Sequence, residues 1–230
     1  MRKTKIIATI GPASDAPERL DELIAAGMDV ARLNASHGSP SELAERLEAV
    51  RAAERRAGRR VAIMLDLSGP KLRVGEMAPD SRLEPGATFT LVPGDAHGDS
   101  ARASISYEGL ARDVRRQNRI LLDDGRIELI VDEVRGDEVI TKVRIGGTLT
   151  SHKGVNVPGV RLGVEPVTRF DRAMAEWAVA KQVDFVAQSF VRESNDVNRL
   201  RQLLRDETIP IVAKIEKYEA AENISGIINA

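Results

Sequence analysis

Residues 29–38 read Asp29-Val-Ala-Arg-Leu-Asn-Ala-Ser-His-Gly38, a short apolar run that ends in a dense polar cluster. Side chains alternate faces along a strand. Arg32, Asn34 and Ser36 therefore share one face, and Ala31, Leu33 and Ala35 the other. A surface strand carries polar residues along its whole solvent face. This one gathers a cation, an amide, a hydroxyl and an imidazole at its C-terminal end, the end at which parallel α/β folds bind ligands.

Working outward, the pattern repeats. Lys5–Ile10 is a short β-type run closed by Gly11-Pro12, and Ser14 or Asp15 is positioned to cap a helix with Pro17 in its first turn. Gly27 ends that helix and the strand at 29–34 follows. A second helix is expected over Ser41–Ala57, stopped by Gly58. Val61–Leu67 is almost continuously apolar, as in a strand buried on both faces. The order βαβαβ with short connections implies parallel strands and right-handed crossovers.

The rhythm breaks at Gly69-Pro70. Up to about Pro158, strands are expected at Thr88–Val92, Arg119–Leu122, Ile127–Val131 and Val139–Val143, with turn signals between them and one short helix around Glu108–Arg116. This predicts a small β domain over 70–157, inserted between residues 1–69 and 158–230 of an α/β domain. The α/β order then resumes: a helix from Thr168 to Lys181, a strand at Asp184–Phe190, a helix capped by Ser194 to Arg205, a strand at Ile209–Ile215, and a helix over Glu216–Ile228. Setting the insert aside leaves about 142 residues, against roughly 250 for a complete (β/α)₈ barrel. The expectation is therefore a partial barrel of five β/α units, or an open doubly wound sheet.

Composition narrows the function classes. Lys plus Arg number 34 and Asp plus Glu 35, which gives no electrostatic case for nucleic acid or an anionic membrane. At 3% aromatic the chain is poor in stacking platforms for single strands. With no cysteine it has no disulfide and no thiolate metal site, in keeping with a cytoplasmic protein. No run resembles a signal peptide or a membrane span.

Each strand end offers chemistry. The second gives Arg32, Asn34, Ser36 and His37. The third gives Asp66 and Ser68, with Lys71 and Arg73 just beyond. The fourth gives Gln188, Ser189 and Arg192, and the fifth Lys214 and Glu216, two apart and so on one face. A carboxylate there can hold a divalent cation while the lysine meets the charge of a transferring group. The plainer alternative is a structural ion pair. Arg32 could fork a phosphate or pair with a carboxylate, and Asp66, at the end of a buried strand, must be paired or bind a cation. HExxH, zinc spacings and a Walker-type loop are missing.

Taken together, Thr4-Lys-Ile-Ile-Ala-Thr-Ile-Gly-Pro-Ala-Ser14, Gly27–Gly38, Leu65-Asp-Leu-Ser-Gly-Pro-Lys71, Asp123-Asp-Gly125, Lys153-Gly-Val-Asn-Val-Pro-Gly159 and Ala213-Lys-Ile-Glu216 resemble the pyruvate kinase family, in order and over essentially the whole chain. The resemblance implies a barrel A domain with an inserted β-barrel B domain that closes as a lid, and Mg²⁺- or Mn²⁺-dependent phosphoryl transfer from phosphoenolpyruvate to ADP, giving pyruvate and ATP. It implies Lys214 as the catalytic lysine, Arg32 and Ser189 as substrate contacts, and Glu216 as a metal ligand. Asn34, Ala35, Ser36, His37, Arg73 and Lys153 would touch nucleotide, and Asn34, Ser36 and Asp66 would hold a monovalent cation. Ala35 stands where the family usually has phenylalanine. Lys71 stands where potassium-dependent members carry glutamate. Leu67 and Val74 also resemble the potassium-independent branch, so K⁺ is expected to be dispensable.

The family continues with a strand ending in Ala-Arg-Gly-Asp, which supplies the second metal carboxylate, and with a C domain, so this chain is expected to be an N-terminal portion and inactive alone. A homotetramer is implied for the full-length protein only. The other readings open at this point are a non-catalytic chain that binds nucleotide or a phosphometabolite, and another Mg²⁺-dependent barrel enzyme acting on pyruvate-like acids.

Overall fold

The computed structural model describes residues 3–205 and 208–230; Met1 and Arg2, which open the first expected segment, lie outside them. The chain forms two compact units, residues 1–70 with 166–230, and 71–165.

The first unit begins with strand β1 (Ile7–Thr9), helix α1 (Pro17–Ala25), β2 (Val30–Asn34), α2 (Pro40–Ala57) and β3 (Ala62–Asp66). Neither Ser14 nor Asp15 caps α1. The N-cap is Ala16, without a side-chain bond, because Ser14 is used in the preceding turn, where its Oγ accepts from the Gly11 amide at 3.0 Å. α2 starts on a capping box between Ser39 and Glu42 with Pro40 in its first turn, and stops at Gly58, whose φ of 59° is one that glycine adopts without a steric penalty.

The second unit carries β4 (Arg82–Leu83), β5 (Thr88–Pro93), β6 (Arg102–Ile105), α3 (Leu110–Asp113), β7 (Arg119–Leu122), β8 (Ile127–Arg135), β9 (Glu138–Ile145), β10 (Gly147–Thr148) and β11 (Val155–Asn156). The two-residue strands and β6 are the elements that alternation did not reveal, being too short or too polar to show a period of two. Six strands form one sheet in the order β11-β7-β8-β9-β5-β6. The segment 72–77 bridges both of its edges, with Arg73 opposite Gly154 beside β11 and Val74 opposite Ile105 of β6, and this curls the sheet around its own core. That core includes Phe89, Leu91, Ile120 and Leu129. The unit runs to Glu165 rather than to 157, because Val160, Leu162 and Val164 pack on the same core.

The first unit resumes with α4 (Arg169–Ala180), β12 (Phe185–Gln188), α5 (Ser194–Leu204), β13 (Ile211–Ala213), α6 (Tyr218–Glu222) and α7 (Ile224–Ile228). Thr168 caps α4 as expected, but α5 is preceded by Glu193 rather than capped by Ser194. The single helix expected over 216–228 is two short ones that meet at Asn223.

Among the described residues, β1-β2-β3-β12-β13 form a wholly parallel sheet in chain order. A doubly wound sheet reverses its strand order at a switch point; here there is no reversal, and right-handed crossovers then put every helix on one face. The core agrees: Leu33, Leu65 and Val186 lie in register on that face and pack with Leu20 and Ile24 of α1, Leu43 and Leu47 of α2, Met174 of α4 and Leu200 of α5. The fold is a partial barrel with an inserted β domain, and the doubly wound alternative is set aside.

Candidate active site

On the face opposite the helices the register aligns Thr9, Arg32, Met64 and Phe185 in one row. Asn34, Asp66, Ala187 and Val212 form the next row toward the strand ends. Ser68, Ser189 and Lys214 follow on the same face by alternation. Gln188 falls on the helix face instead, where its Nε2 donates to the Asp196 carbonyl at 2.9 Å. Arg192 turns to Asp196 as well, at 3.0 Å. Gln188 thus lies off the face that carries the cluster expected at the fourth strand end.

Asp66 is the hub. Its side chain is 3% exposed, and a carboxylate so placed is costly unless paired. Arg32 Nε donates to its Oδ2 at 2.8 Å, with a second contact from Nη2. Lys214 Nζ reaches Oδ1 at 3.2 Å and Oδ2 at 3.4 Å. Each cation has a further partner. Arg32 Nη1 donates to Thr9 Oγ1 at 2.7 Å. Lys214 Nζ donates to Ser189 Oγ at 2.8 Å and lies 3.3 Å from Glu216 Oε1. Glu216 Oε2 accepts the Phe190 amide at 3.0 Å. Phe190 has a φ of 57°, rare for a bulky residue and a mark of local strain. Lys217 lies over its ring at 5.6 Å, and burial pushes that ammonium's pKa down.

The run after β2 is held by its own side chains. Asn34 Oδ1 accepts the Ser36 amide at 3.0 Å, and Asn34 Nδ2 lies 3.1 Å from His37 Nδ1. Ser36 Oγ donates to Ser68 Oγ at 3.0 Å. Ala35 is buried, and its amide bonds to the Asp66 carbonyl at 2.9 Å, tying this run to β3. The structure thus brings Arg32, Asp66, Ser189, Lys214 and Glu216 into one bonded group, with Asn34–His37 and Ser68 at the adjoining strand ends.

Lys71, Arg73 and Lys153 belong to the second unit. There Arg73 Nη1 donates to the His152 carbonyl at 2.6 Å, and Lys153 pairs with Asp123 Oδ1 at 2.8 Å. That contact holds the Asp123 carboxyl below its ordinary range. Asp123, Asp124 and Gly125 all have positive φ, so the turn that presents Asp123 is strained. Pattern reading missed Thr9, the Phe190 amide and Asp123 as partners. Only the register of β1 on β2 could have offered Thr9.

Among the described residues no three carboxylate, histidine or cysteine side chains gather as a metal cluster. Glu216 nevertheless suits a hard cation of the Mg²⁺ type, which takes one or two carboxylates and completes its shell with substrate oxygens and water.

A family model described as the barrel domain of pyruvate kinase matches residues 1–230. The pyruvate kinase of Geobacillus stearothermophilus is 42% identical over 235 residues, covering 100% of this chain and 40% of its own length. That of Clostridium perfringens is also 42% identical, over 99% of this chain and 49% of its own length. That of Methylorubrum extorquens is 40% identical, over 99% and 48%. The chain spans somewhat less than half the length of these relatives. With the fold, the strand-end cluster and the matched length in agreement, the chain belongs to the pyruvate kinase family.

Proposed function

We propose that the protein works in Mg²⁺- or Mn²⁺-dependent phosphoryl transfer from phosphoenolpyruvate to ADP, giving pyruvate and ATP in the cytoplasm, and that this chain carries one portion of that site. The observation that carries the reading is the convergence of Lys214, Arg32 and Glu216 on and beside the buried Asp66. Phosphoryl transfer asks little of a protein beyond positioning and positive charge around the equatorial oxygens. Lys214 supplies a point charge beside the transferring group, steadied by Ser189. Arg32 supplies a planar fork for phosphate oxygens. Glu216 would hold the divalent cation, which when bound adds positive charge against those oxygens. Asn34–His37 in the first unit and Arg73 and Lys153 in the second are the nucleotide contacts of this reading.

Asn34, Ser36 and Asp66 would form the monovalent site, with the Lys71 ammonium supplying the charge that K⁺ otherwise brings. The test of the reading is ligand-linked stability. Phosphoenolpyruvate with Mn²⁺ is expected to stabilise the first unit, and Lys214→Met to remove the effect. Equal shifts in both proteins, or none in either, overturn it. The 230-residue chain by itself is expected to release no pyruvate from phosphoenolpyruvate and ADP. Release that Lys214→Met abolishes would overturn that expectation.

A further inference from the structure

Asp171 has no place in the site as read above, yet it is 1% exposed. A Thr-x-x-Asp capping box needs one carboxylate oxygen, and Oδ2 fills that role. It accepts the Thr168 amide at 3.0 Å and the Thr168 hydroxyl at 2.6 Å. The other oxygen is committed elsewhere. Oδ1 accepts the amide of Gly69, 102 residues earlier, at 3.1 Å. Gly69 immediately precedes the point where the chain leaves the first unit, and Thr168 lies two residues after it returns. One buried carboxylate therefore ties together both ends of the interruption, within the first unit.

The tie reaches the cluster through Gly69. Its φ is +64°, and a Cβ built there would stand 2.9 Å from the Phe190 ring and 3.0 Å from Ser189 Cβ. The residues just before it continue the ladder onto β12: the Leu67 amide donates to the Ala187 carbonyl at 2.9 Å, and the Leu67 carbonyl accepts Ser189 Oγ at 2.7 Å. The 67–69 segment is thus the backing of the 188–190 turn. That turn presents Ser189 Oγ to Lys214 and the Phe190 amide to Glu216.

We propose that Asp171 is a positioning residue for Lys214 and Glu216. By clamping Gly69 against Ser189 and Phe190, it fixes the two groups that orient the lysine and the carboxylate. The roles of Lys214 and Glu216 rest on the function proposed above; the clamp does not.

The test compares Asp171→Asn with Thr168→Val in the 230-residue chain. Both damage the α4 cap and lower thermal stability. Only the first puts an amide group against the Gly69 and Thr168 N–H donors. Amide hydrogen exchange is read at Gly69 and Phe190, and Mn²⁺ affinity by electron paramagnetic resonance. In Asp171→Asn both amides are expected to exchange roughly ten- to a hundredfold faster, the loss of one bond to a charged acceptor, with weaker Mn²⁺ binding. In Thr168→Val both readouts stay near wild type. If Asp171→Asn does not fold, Gly69→Ala is read instead, since its methyl would press on Phe190 and Ser189, displace Gly69 from its seat under Asp171, and should give the same Phe190 and Mn²⁺ changes.

Unchanged Phe190 exchange in Asp171→Asn (or in Gly69→Ala, where that stands in), or equal changes in Thr168→Val, overturn the proposal. Glu216→Gln tests the metal reading separately. If it leaves Mn²⁺ binding intact, that reading falls, and the exchange result still decides the clamp.

Discussion

Replacing Asp66 by asparagine keeps the shape of the side chain and removes the charge that two cations share. Taking one partner from a buried ion pair costs about 3–5 kcal/mol, because the other charge is left without compensation. Here the loss is smaller. The Arg32 and Lys214 side chains are each 30% exposed, and each retains another partner, Thr9 Oγ1 for Arg32 and Glu216 and Ser189 for Lys214. Water and those partners reduce the expected cost to about 2 kcal/mol. Urea unfolding can read the first unit by itself, since the chain has one tryptophan and Trp177 packs on that unit's core. This matters because two units need not unfold in one transition.

The same substitution in an Arg32→Met or Lys214→Met background should cost at least about 1 kcal/mol less, the signature of coupling between contacting groups. Freed of Asp66, the two cations should also hold inorganic phosphate more tightly, so phosphate should stabilise Asp66→Asn more than wild type. A cost below about 0.5 kcal/mol, or an equal cost in all backgrounds, would refute the account of Asp66 as the hub.

Other outcomes follow from particular contacts. Leu65 is fully buried in the first core, and Leu65→Ala is expected to cost about 2–5 kcal/mol by urea unfolding read at Trp177. The carboxyls of Glu76, Asp123 and Glu128 are held below their ordinary range, by Ser151 and His152, by Lys153 and by Arg119 respectively. A depressed folded pKa gives stability that is full above the unfolded value, near 4, and is lost as pH falls through the folded one. Circular dichroism melts of the second unit should therefore weaken progressively below about pH 4, and less so in Glu76→Gln, which has no such group to protonate. Lys153→Met is expected to weaken ADP binding by calorimetry while leaving the Trp177 transition unchanged. In an active protein containing this chain, adding K⁺ to a medium free of K⁺ and Na⁺ should change the rate little. Strong stimulation would count against the role given to Lys71.

The first sheet was legible because its signals are local and redundant. Val61–Leu67 is apolar on both faces, Gly27 and Gly58 stop helices, and the polar residues sit at strand ends rather than along strands. Arg32, Asp66, Lys214 and Glu216 could be seen as one group because alternation fixes the face of each. What stayed hidden depends on register or on distant backbone. Gln188 and Arg192 read as site residues from their position alone. Both bond to Asp196 instead, four residues beyond Arg192 and eight beyond Gln188; the spacing was visible in the chain, but only the fold shows that the Asp196 carboxylate and carbonyl turn to them. Ser14 had the composition of a cap but spends its hydroxyl on the Gly11 turn. In the second unit the edge strands β6 and β11 are joined by contacts of 72–77 with 104–106 and 153–155, and no period can reveal those.

The charges of the cluster also bear on why a divalent cation belongs in the proposed reaction. Arg32 and Lys214 are balanced by Asp66 and Glu216, and every charge is already within contact distance of an opposite one. A phosphoryl group entering alone would add negative charge to a neutral, half-buried group. It would have to draw Arg32 or Lys214 away from Asp66, whose 3% exposure makes it costly to abandon. If Glu216 held a divalent cation, its carboxylate would no longer be shared with Lys214, and the Lys214 ammonium would have charge to direct at phosphate oxygens. Anion and metal affinities should on this argument rise together, and Asp66 sets how strongly, since an anion competes with it for Arg32 and Lys214.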